Sequence, residues 1–169
     1  MVEVILFILY AVLFFVLCLG VWRLKFAYGH FQMKKTMSPT ELKGDLPSVT
    51  VCIPARNEDH ALTDCLQRVI ESTYPKIEII VLDDMSGDNT SALIKSFASE
   101  GVRFVEGTAV PAGWLGKNHA LQELLQEASG TYGLFMDVDT RIAPTSIEQL
   151  VVYTRQEEAL MVSVMPRRD

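Results

Sequence analysis

Residues 77–90, IEIIVLDDMSGDNT, decide the fold of this 169-residue chain. A short apolar, β-branched run ends at two carboxylates, Asp83 and Asp84, and continues into residues that turn the chain and cap helices. This pattern predicts a buried strand that enters a helix through a polar loop. In an open α/β sheet, ligands bind beyond the carboxyl ends of such strands, so both aspartates stand where a substrate would be met. The alternative is that they are only turn and capping residues.

The same order of strand, loop and helix recurs on both sides of this stretch. The intervening segments carry apolar residues at helical spacing, and strands that alternate with helices of this length predict right-handed crossovers and a mostly parallel sheet. The fold class is therefore α/β, with helices flanking the sheet. Besides residues 77–82, the predicted strands are residues 49–53 (ended by Pro54), 102–106, 134–136 and 160–165.

The beginning of the chain has a different character. Residues 4–22 are apolar without a charge, and at about 1.5 Å per helical residue they are long enough to cross a hydrocarbon core of roughly 30 Å. A cleaved signal peptide fits less well, because no basic residue precedes the run and Arg23 and Lys25 follow it, where small residues are expected. We predict one transmembrane helix over residues 1–22.

Basic residues follow the apolar run, whereas only Glu3 precedes it. The positive-inside rule therefore predicts a single-pass protein of the cell membrane whose downstream domain is cytoplasmic. We expect residues 23–47 to be a juxtamembrane linker and residues 48–169 to be the folded domain. The basic residues are Arg23, Lys25, Lys34 and Lys35.

The composition argues against a nucleic-acid-binding protein and against a metal site built from cysteines. A net charge of -6 and a pI near 5.1 disfavour binding to nucleic acid, whose phosphates need basic partners. The three cysteines, Cys18, Cys52 and Cys65, lack the spacing of metal ligands, and we interpret them as small buried hydrophobic residues.

Three predicted strands end in polar residues, and in a parallel sheet these ends share one edge. Residues 54–58 follow the first strand, Asp83 and Asp84 follow the second, and Asp137 and Asp139 follow the fourth. Carboxylates gathered in this way repel one another unless a cation joins them. The Asp-x-Asp pair offers hard oxygen ligands that suit Mg²⁺ or Mn²⁺. The alternative is an exposed turn with two solvated carboxylates.

A loop rich in glycine opens the third predicted helix. In residues 113–117, GWLGK, backbone N–H groups and the Lys117 ammonium are placed to hold phosphate oxygens. Alternatively, Trp114 is a hydrophobic plug and Lys117 a solvated surface residue. No GxGxxG follows the first strand and no GxxxxGK[ST] occurs, so neither a dinucleotide-binding Rossmann site nor a P-loop is predicted.

Four motifs together resemble those of a known family. The motifs VCIPARNE, VLDDMSGDNT, GWLGKNHA and FMDVDT, in this order, are similar to family 2 glycosyltransferases of the Rossmann-like GT-A fold, the nucleotide-diphospho-sugar transferases. The GWLGK element is most similar to membrane-bound members associated with hopanoid and carotenoid glycosylation. The resemblance begins near residue 48 and ends near residue 166; the motifs occupy residues 51–58, 81–90, 113–120 and 135–140.

The resemblance implies a role for each matching residue. It places the nucleotide pocket after the first strand, the base at the second strand end, and the sugar, the diphosphate and a divalent cation (Mg²⁺ or Mn²⁺) at the fourth. The implied residues are Pro54, Ala55 and Glu58 for the nucleotide pocket, Asp84 for a uracil-type base, Asp137 for sugar and ribose, Lys117 for the sugar-phosphate and Asp139 for the metal.

The implied reaction moves a sugar, with inversion, from a nucleotide diphosphate sugar, here a UDP-sugar, to a lipid or membrane-associated acceptor. The acceptor-binding half and the general base are expected downstream of this chain, so no catalytic residue is assigned and the chain alone is expected to transfer little sugar. Two alternatives stay open. One is a non-catalytic, membrane-anchored fragment that binds nucleotide sugars, and the other is a sugar nucleotidyltransferase, which is expected to carry a basic glycine-rich loop after its first strand.

Overall fold

Four parallel strands form one sheet in this computed structural model, which describes residues 2–32 and 45–164. Their order across the sheet is β3-β2-β1-β4, so β1 and β2 are central. The predicted parallel α/β sheet is confirmed. The strands are β1 (Val49–Ala55), β2 (Ile77–Asp83), β3 (Val102–Glu106) and β4 (Tyr132–Phe135).

Helices connect the strands and cover both faces of the sheet. Alternate residues of β1 point to opposite sides, as the pleat of a strand requires. Val51 and Ile53 join a large core cluster with the buried residues of α2 and α5, whereas Cys52 packs with Leu124 of α4 in a smaller one. The helices are α1 (Val2–Gln32), α2 (Asp59–Ile70), α3 (Thr90–Ser96), α4 (Gly116–Glu127) and α5 (Ser146–Gln156).

The N-terminal helix belongs to a unit of its own. The chain divides into Met1–Ser38 and Pro39–Asp169, and α1 lies in the first unit. Its segment Leu6–Lys25 is long and apolar enough to cross a membrane, with a mean hydropathy of 2.3 and no residue buried. The helix extends to Gln32, ten residues beyond the predicted membrane segment, so the predicted linker of residues 23–47 starts inside α1. Residues 33–44 of that linker, with Lys34 and Lys35, lie outside the described residues.

Pro54 does not end the first strand, contrary to the prediction. β1 continues to Ala55, and Pro54 pairs with Leu82 of β2. The backbone of Cys52 faces β4, because its carbonyl accepts the N–H of Met136. The backbone of Pro54 faces the same way two residues later, beyond the end of β4. The missing N–H of proline therefore removes no hydrogen bond from the sheet.

The predicted fifth strand is wrong for the residues that the structure describes. Residues 160–164 form neither helix nor strand, and Met165 lies outside the described part. Leu160 and Met161 are exposed and pair with no neighbouring strand. A short apolar run is compatible with several conformations, so its composition alone does not define a strand. Of the three cysteines, Cys52 and Cys65 are buried as predicted, whereas Cys18 on α1 is exposed.

Candidate functional site

The loops that follow β1 and β2 are joined by reciprocal hydrogen bonds. Asp84 donates its N–H to the Ala55 carbonyl at 2.8 Å. Asn57 donates its N–H to Ser86 Oγ at 2.9 Å, and its own Oδ1 accepts the N–H of Gly87 at 2.8 Å. Because each loop satisfies polar groups of the other, the carboxyl edge of the central strands is one ordered unit.

Two residues of this unit adopt left-handed backbone conformations. Asn57 has a φ of 54° and Met85 a φ of 52°. This region is uncommon for residues other than glycine, although asparagine is enriched there, and it costs roughly 1–2 kcal/mol per residue. The hydrogen bonds between the loops compensate for this cost and fix the direction in which the chain leaves each strand.

Asp83 and Asp84 are both buried, with 8% and 7% of their surface exposed, but they have different partners. Asp83 Oδ1 accepts the N–H of Ser86 at 3.2 Å, so Asp83 is a turn-building residue. The Asp84 carboxylate instead lies 3.4 Å from Nη1 of Arg56 in an ion pair. Of these two aspartates, Asp84 is therefore the one whose carboxylate forms an ion pair at the carboxyl edge of the sheet.

The start of α4 lies against two of the strand ends. A Cβ on Gly116 would lie 3.7 Å from Asp84 Oδ2, and the next residue, Lys117, places its Nζ 2.7 Å from Asp137 Oδ1. Because these two residues are consecutive, Asp84 and Asp137 face one common edge. The N-cap residue Leu115 makes no side-chain capping bond, so no side chain at that position covers the first N–H groups of α4.

The Asp-x-Asp segment forms a turn. Thr140 donates its N–H to the Asp137 carbonyl at 3.0 Å, and Val138 is buried while Asp137 and Asp139 are exposed. Within residues 2–32 and 45–164, no three His, Cys, Asp or Glu side chains form a group that could hold a metal ion. A cation that also binds substrate phosphates needs only one or two protein carboxylates, so the exposed Asp139 fits a shared metal site and not a protein-only one.

The remaining predicted residues line the same edge to different degrees. Pro54 is half-buried and Ala55 is 1% exposed, so Ala55 contributes its backbone and not its side chain. Glu58 is the N-cap residue of α2 and donates its N–H to Thr90 Oγ1 at 2.9 Å. Its carboxylate is about one-third exposed and lies 3.8 Å from Nε2 of His60.

Trp114 is not the buried plug of the alternative interpretation. The residue is 48% exposed, and its ring makes an edge contact with the ring of His119, whose centroid is 5.9 Å away. Nδ1 of His119 lies 3.6 Å from Oε2 of Glu123 within α4, so the contact with Trp114 links the loop to this helix.

Sequence reasoning missed Gly107, the residue after β3. A Cβ there would lie 2.8 Å from the Asp83 carbonyl oxygen and 3.2 Å from Asp84 Cα, so only glycine fits against the end of β2. Its N–H donates to the Asp83 carbonyl at 3.0 Å. A glycine directly after a predicted strand is the signal that could have revealed it, because such a glycine often marks a close approach of two backbones.

The sequence model of a family described as Glycosyl transferase family 2 matches residues 50–169. The 4,4'-diaponeurosporenoate glycosyltransferase of Staphylococcus aureus (strain USA300) is 29% identical over 138 residues, which cover 80% of this chain and 36% of that protein. The chain thus spans about a third of the length of the curated relatives it matches.

Two solved structures have a similar fold. The mannosyltransferase PcManGT from Pyrobaculum calidifontis, in complex with GDP-Man and Mn²⁺, superposes with a TM-score of 0.62 and 26% identity over 80% of this chain and 40% of its own. S. aureus TarS 1–349, in complex with UDP-GlcNAc, has a TM-score of 0.56 and 21% identity over 66% of this chain and 32% of its own. These likenesses confirm the predicted GT-A fold.

Proposed function

The chain belongs to glycosyl transferase family 2, and on that premise we propose that residues 45–164 bind the donor of a sugar-transfer reaction. The donor is a nucleotide diphosphate sugar, and the acceptor is a lipid or membrane-associated hydroxyl. One observation carries the proposal: Gly116 and Lys117 bring Asp84 and Asp137 to one edge of the sheet. A nucleotide and its diphosphate then reach both strand ends at once.

Asp84 and Arg56 are proposed to recognise the base. Their ion pair places a carboxylate acceptor beside a guanidinium donor. Uracil presents an N–H between two carbonyl oxygens, and an adjacent acceptor and donor match that edge. A UDP-sugar is therefore the proposed donor, with Pro54, Ala55 and Glu58 lining the pocket on the β1 side. TarS, which has the same fold, binds UDP-GlcNAc, and PcManGT binds GDP-Man.

Lys117, Asp137 and Asp139 are proposed to hold the sugar-diphosphate. The Lys117 ammonium lies at the start of α4, where a positive side chain and backbone N–H groups together favour phosphate oxygens. Asp137 orients the sugar and ribose, and Asp139 holds a divalent cation, Mg²⁺ or Mn²⁺. When bound, the cation neutralises charge that develops on the leaving diphosphate. The acceptor hydroxyl attacks the anomeric carbon as the bond to the diphosphate breaks, which inverts that centre. The nucleoside diphosphate leaves, and the hydroxyl proton passes to a general base of the acceptor-binding half of the enzyme.

The location of the reaction is proposed to be the cytoplasmic face of the cell membrane. The helix α1 contains a segment long and apolar enough to span the bilayer, and Arg23 and Lys25 lie at its downstream end. Basic residues on this side favour a cytoplasmic domain. A membrane-associated acceptor is compatible with such an anchor.

Calorimetry of the full chain in detergent tests the proposal. We expect UDP to bind more tightly when Mn²⁺ is present. Asp84→Ala should abolish UDP binding, whereas Asp139→Ala should remove only the effect of the metal. Asp45→Ala is the control, because Asp45 is also an aspartate in an ion pair, with Lys76 at 2.7 Å, but lies before β1. UDP binding that is absent from the wild-type chain, or equal in all variants, would contradict the proposal.

A further inference from the structure

The guanidinium of Arg141 contacts both the Asp-x-Asp turn and α2. Arg141 donates from Nη1 to the carbonyl oxygen of Val138 at 3.0 Å, and its Nε forms an ion pair with Asp64 Oδ2 of α2. Val138 is only 3% exposed, so its backbone has little access to water and depends on this donor. One side chain thus ties the turn that carries Asp139 to a helix that packs on the sheet.

The other carboxylate oxygen of Asp64 pairs with a different arginine, Arg68. Arg68 Nε lies 3.0 Å from Asp64 Oδ1, one helical turn away in the same helix. Arg68 and Arg141 therefore carry the same charge and pair with the same carboxylate, but only Arg141 contacts the turn. This pair provides a natural comparison between a positioning contact and a simple surface ion pair.

The charges of Arg141, Asp64 and Asp139 all affect the buried Cys65 thiol. Burial raises the pKa of the Cys65 thiol to about 11; Arg141 lowers it, and Asp64 and Asp139 raise it further. The three charged groups therefore lie within electrostatic reach of the same atom. A guanidinium near a metal ligand would repel a divalent cation, and the Asp64 carboxylate offsets that charge.

We propose that Arg141 is a positioning residue that, braced by Asp64, holds the Asp137–Thr140 turn so that the Asp139 carboxylate is presented to a divalent cation. The inference rests on the proposed function, since it assumes that Asp139 binds the metal. An arginine suits this position because its planar fork reaches two acceptors in different directions, whereas a lysine offers one compact charge.

The first experiment needs no metal. Hydrogen exchange of the Thr140 amide, which bonds to the Asp137 carbonyl, reports the order of the turn in the full chain in detergent. Arg141→Ala should accelerate exchange of this amide about tenfold, and Arg141→Lys should accelerate it less. Arg68→Ala, the matched control, should leave it unchanged.

The second experiment measures Mn²⁺ affinity with saturating UDP, using electron paramagnetic resonance to count unbound Mn²⁺. Loss of a partner that orients a metal ligand typically weakens metal binding about 10–100-fold, and we expect Arg141→Ala to fall in this range. Asp64→Asn should also weaken Mn²⁺ binding, because it removes the brace and leaves the charge of Arg141 without compensation.

The outcomes separate this inference from the proposed function. Wild-type chain that binds no UDP contradicts the proposed function. If wild-type chain binds UDP and Mn²⁺ and Arg141→Ala binds Mn²⁺ equally well, only the positioning role is overturned. The same conclusion follows if Arg68→Ala weakens Mn²⁺ binding as much as Arg141→Ala. Should Arg141→Ala fail to fold, Arg141→Lys and Asp64→Asn still decide, since wild-type Mn²⁺ affinity in both would overturn the role.

Discussion

At the scale of single residues, neighbouring side chains at the sheet edge have divergent roles. Asp83 and Asp84 are almost equally buried, yet Asp83 bonds to its own loop and Asp84 pairs with Arg56 across the edge. The sequence predicts two carboxylates after β2 but does not distinguish them. The distinction depends on Arg56 and Gly116, which both lie next to the Asp84 carboxylate but are distant from it along the chain.

Lys117 is expected to contribute to donor binding through its charge. Lys117→Ala should weaken UDP affinity in Mn²⁺ about tenfold or more, because hydrogen bonds to charged groups are worth about 1.5–3 kcal/mol. Lys117→Arg should retain part of the affinity. Isothermal titration of the full chain in detergent measures both.

Lys76→Ala is the control for this prediction, since Lys76 makes an equally short ion pair with Asp45 but lies directly before β2, at the amino edge of the sheet. It should leave UDP affinity unchanged. Equal affinities of the wild-type chain and Lys117→Ala would show that Lys117 is a solvated surface residue.

At the scale of elements, local patterns predict the central strands better than their ends. The apolar runs identify β1 and β2 because buried parallel strands are nearly continuous in hydrophobic residues. They do not give the extension of β1 through Pro54, which depends on where β4 stops. Residues 160–164 carry a similar run without forming a strand, because pairing requires a neighbour that composition does not reveal.

A polar cluster joins three strands and the segment after α4 at the opposite, amino edge of the sheet. The Glu78 carboxylate accepts hydrogen bonds from Thr50 Oγ1 at 2.6 Å and from the N–H and Oγ of Ser129 at 2.9 Å, and pairs with Arg103. Burial raises the pKa of Glu78, but these hydrogen bonds and the charge of Arg103 outweigh it, so the pKa lies below its ordinary value. The cluster therefore stabilises the fold when Glu78 is ionised.

The contribution of Glu78 should depend on pH. Because its folded-state pKa is depressed, the stabilisation is present above the unfolded pKa, near 4.3, and is lost as pH falls through the folded pKa. We expect Glu78→Gln to lower the free energy of unfolding by roughly 1–3 kcal/mol at pH 7, and by progressively less as the pH falls below about 4. Denaturant titration in detergent, followed by circular dichroism, measures this difference.

Glu127→Gln is the matched control for the pH dependence. Glu127 also pairs with Arg103, at 2.6 Å, but its side chain is about half exposed. Exposed pairs contribute about 0–1 kcal/mol, so this variant should stay close to wild type at every pH. A cost for Glu78→Gln that does not change with pH would contradict the argument.

At the scale of the whole molecule, the chain combines an apolar N-terminal helix with a nucleotide-sugar transferase fold. Ordered motifs and periodicity predict the family and the parallel sheet from sequence. The contacts that shape the candidate site are harder to predict from the sequence, since Asn57 bonds to Gly87 and Arg141 pairs with Asp64 across long stretches of chain. Neither pair leaves a periodic signal, and only the folded backbone brings its members together.

The N-terminal helix is expected to anchor the chain in the membrane. Full-length chain should remain in the membrane fraction after an alkaline carbonate wash. Replacing Leu13 and Phe14 in the middle of the apolar segment by arginine should release it, because each arginine there costs about 2.5–3.5 kcal/mol on insertion.

Leu160→Arg with Met161→Arg is the control, since these exposed apolar residues lie outside α1. This double variant should stay in the membrane fraction. Release of the wild-type chain by the wash would contradict the assignment of a spanning helix.

Paramagnetic relaxation by Mn²⁺ tests most directly whether the acidic strand ends share one site for nucleotide and metal. With UDP present, Mn²⁺ should broaden the amide signals of Asp84, Gly116 and Asp137 in the full chain in detergent, and Asp139→Ala should prevent it. The amides of Lys76 and Glu78, at the amino edge of β2, should stay sharp. Broadening at the amino edge, or broadening at the carboxyl edge that needs neither UDP nor Asp139, would contradict the account.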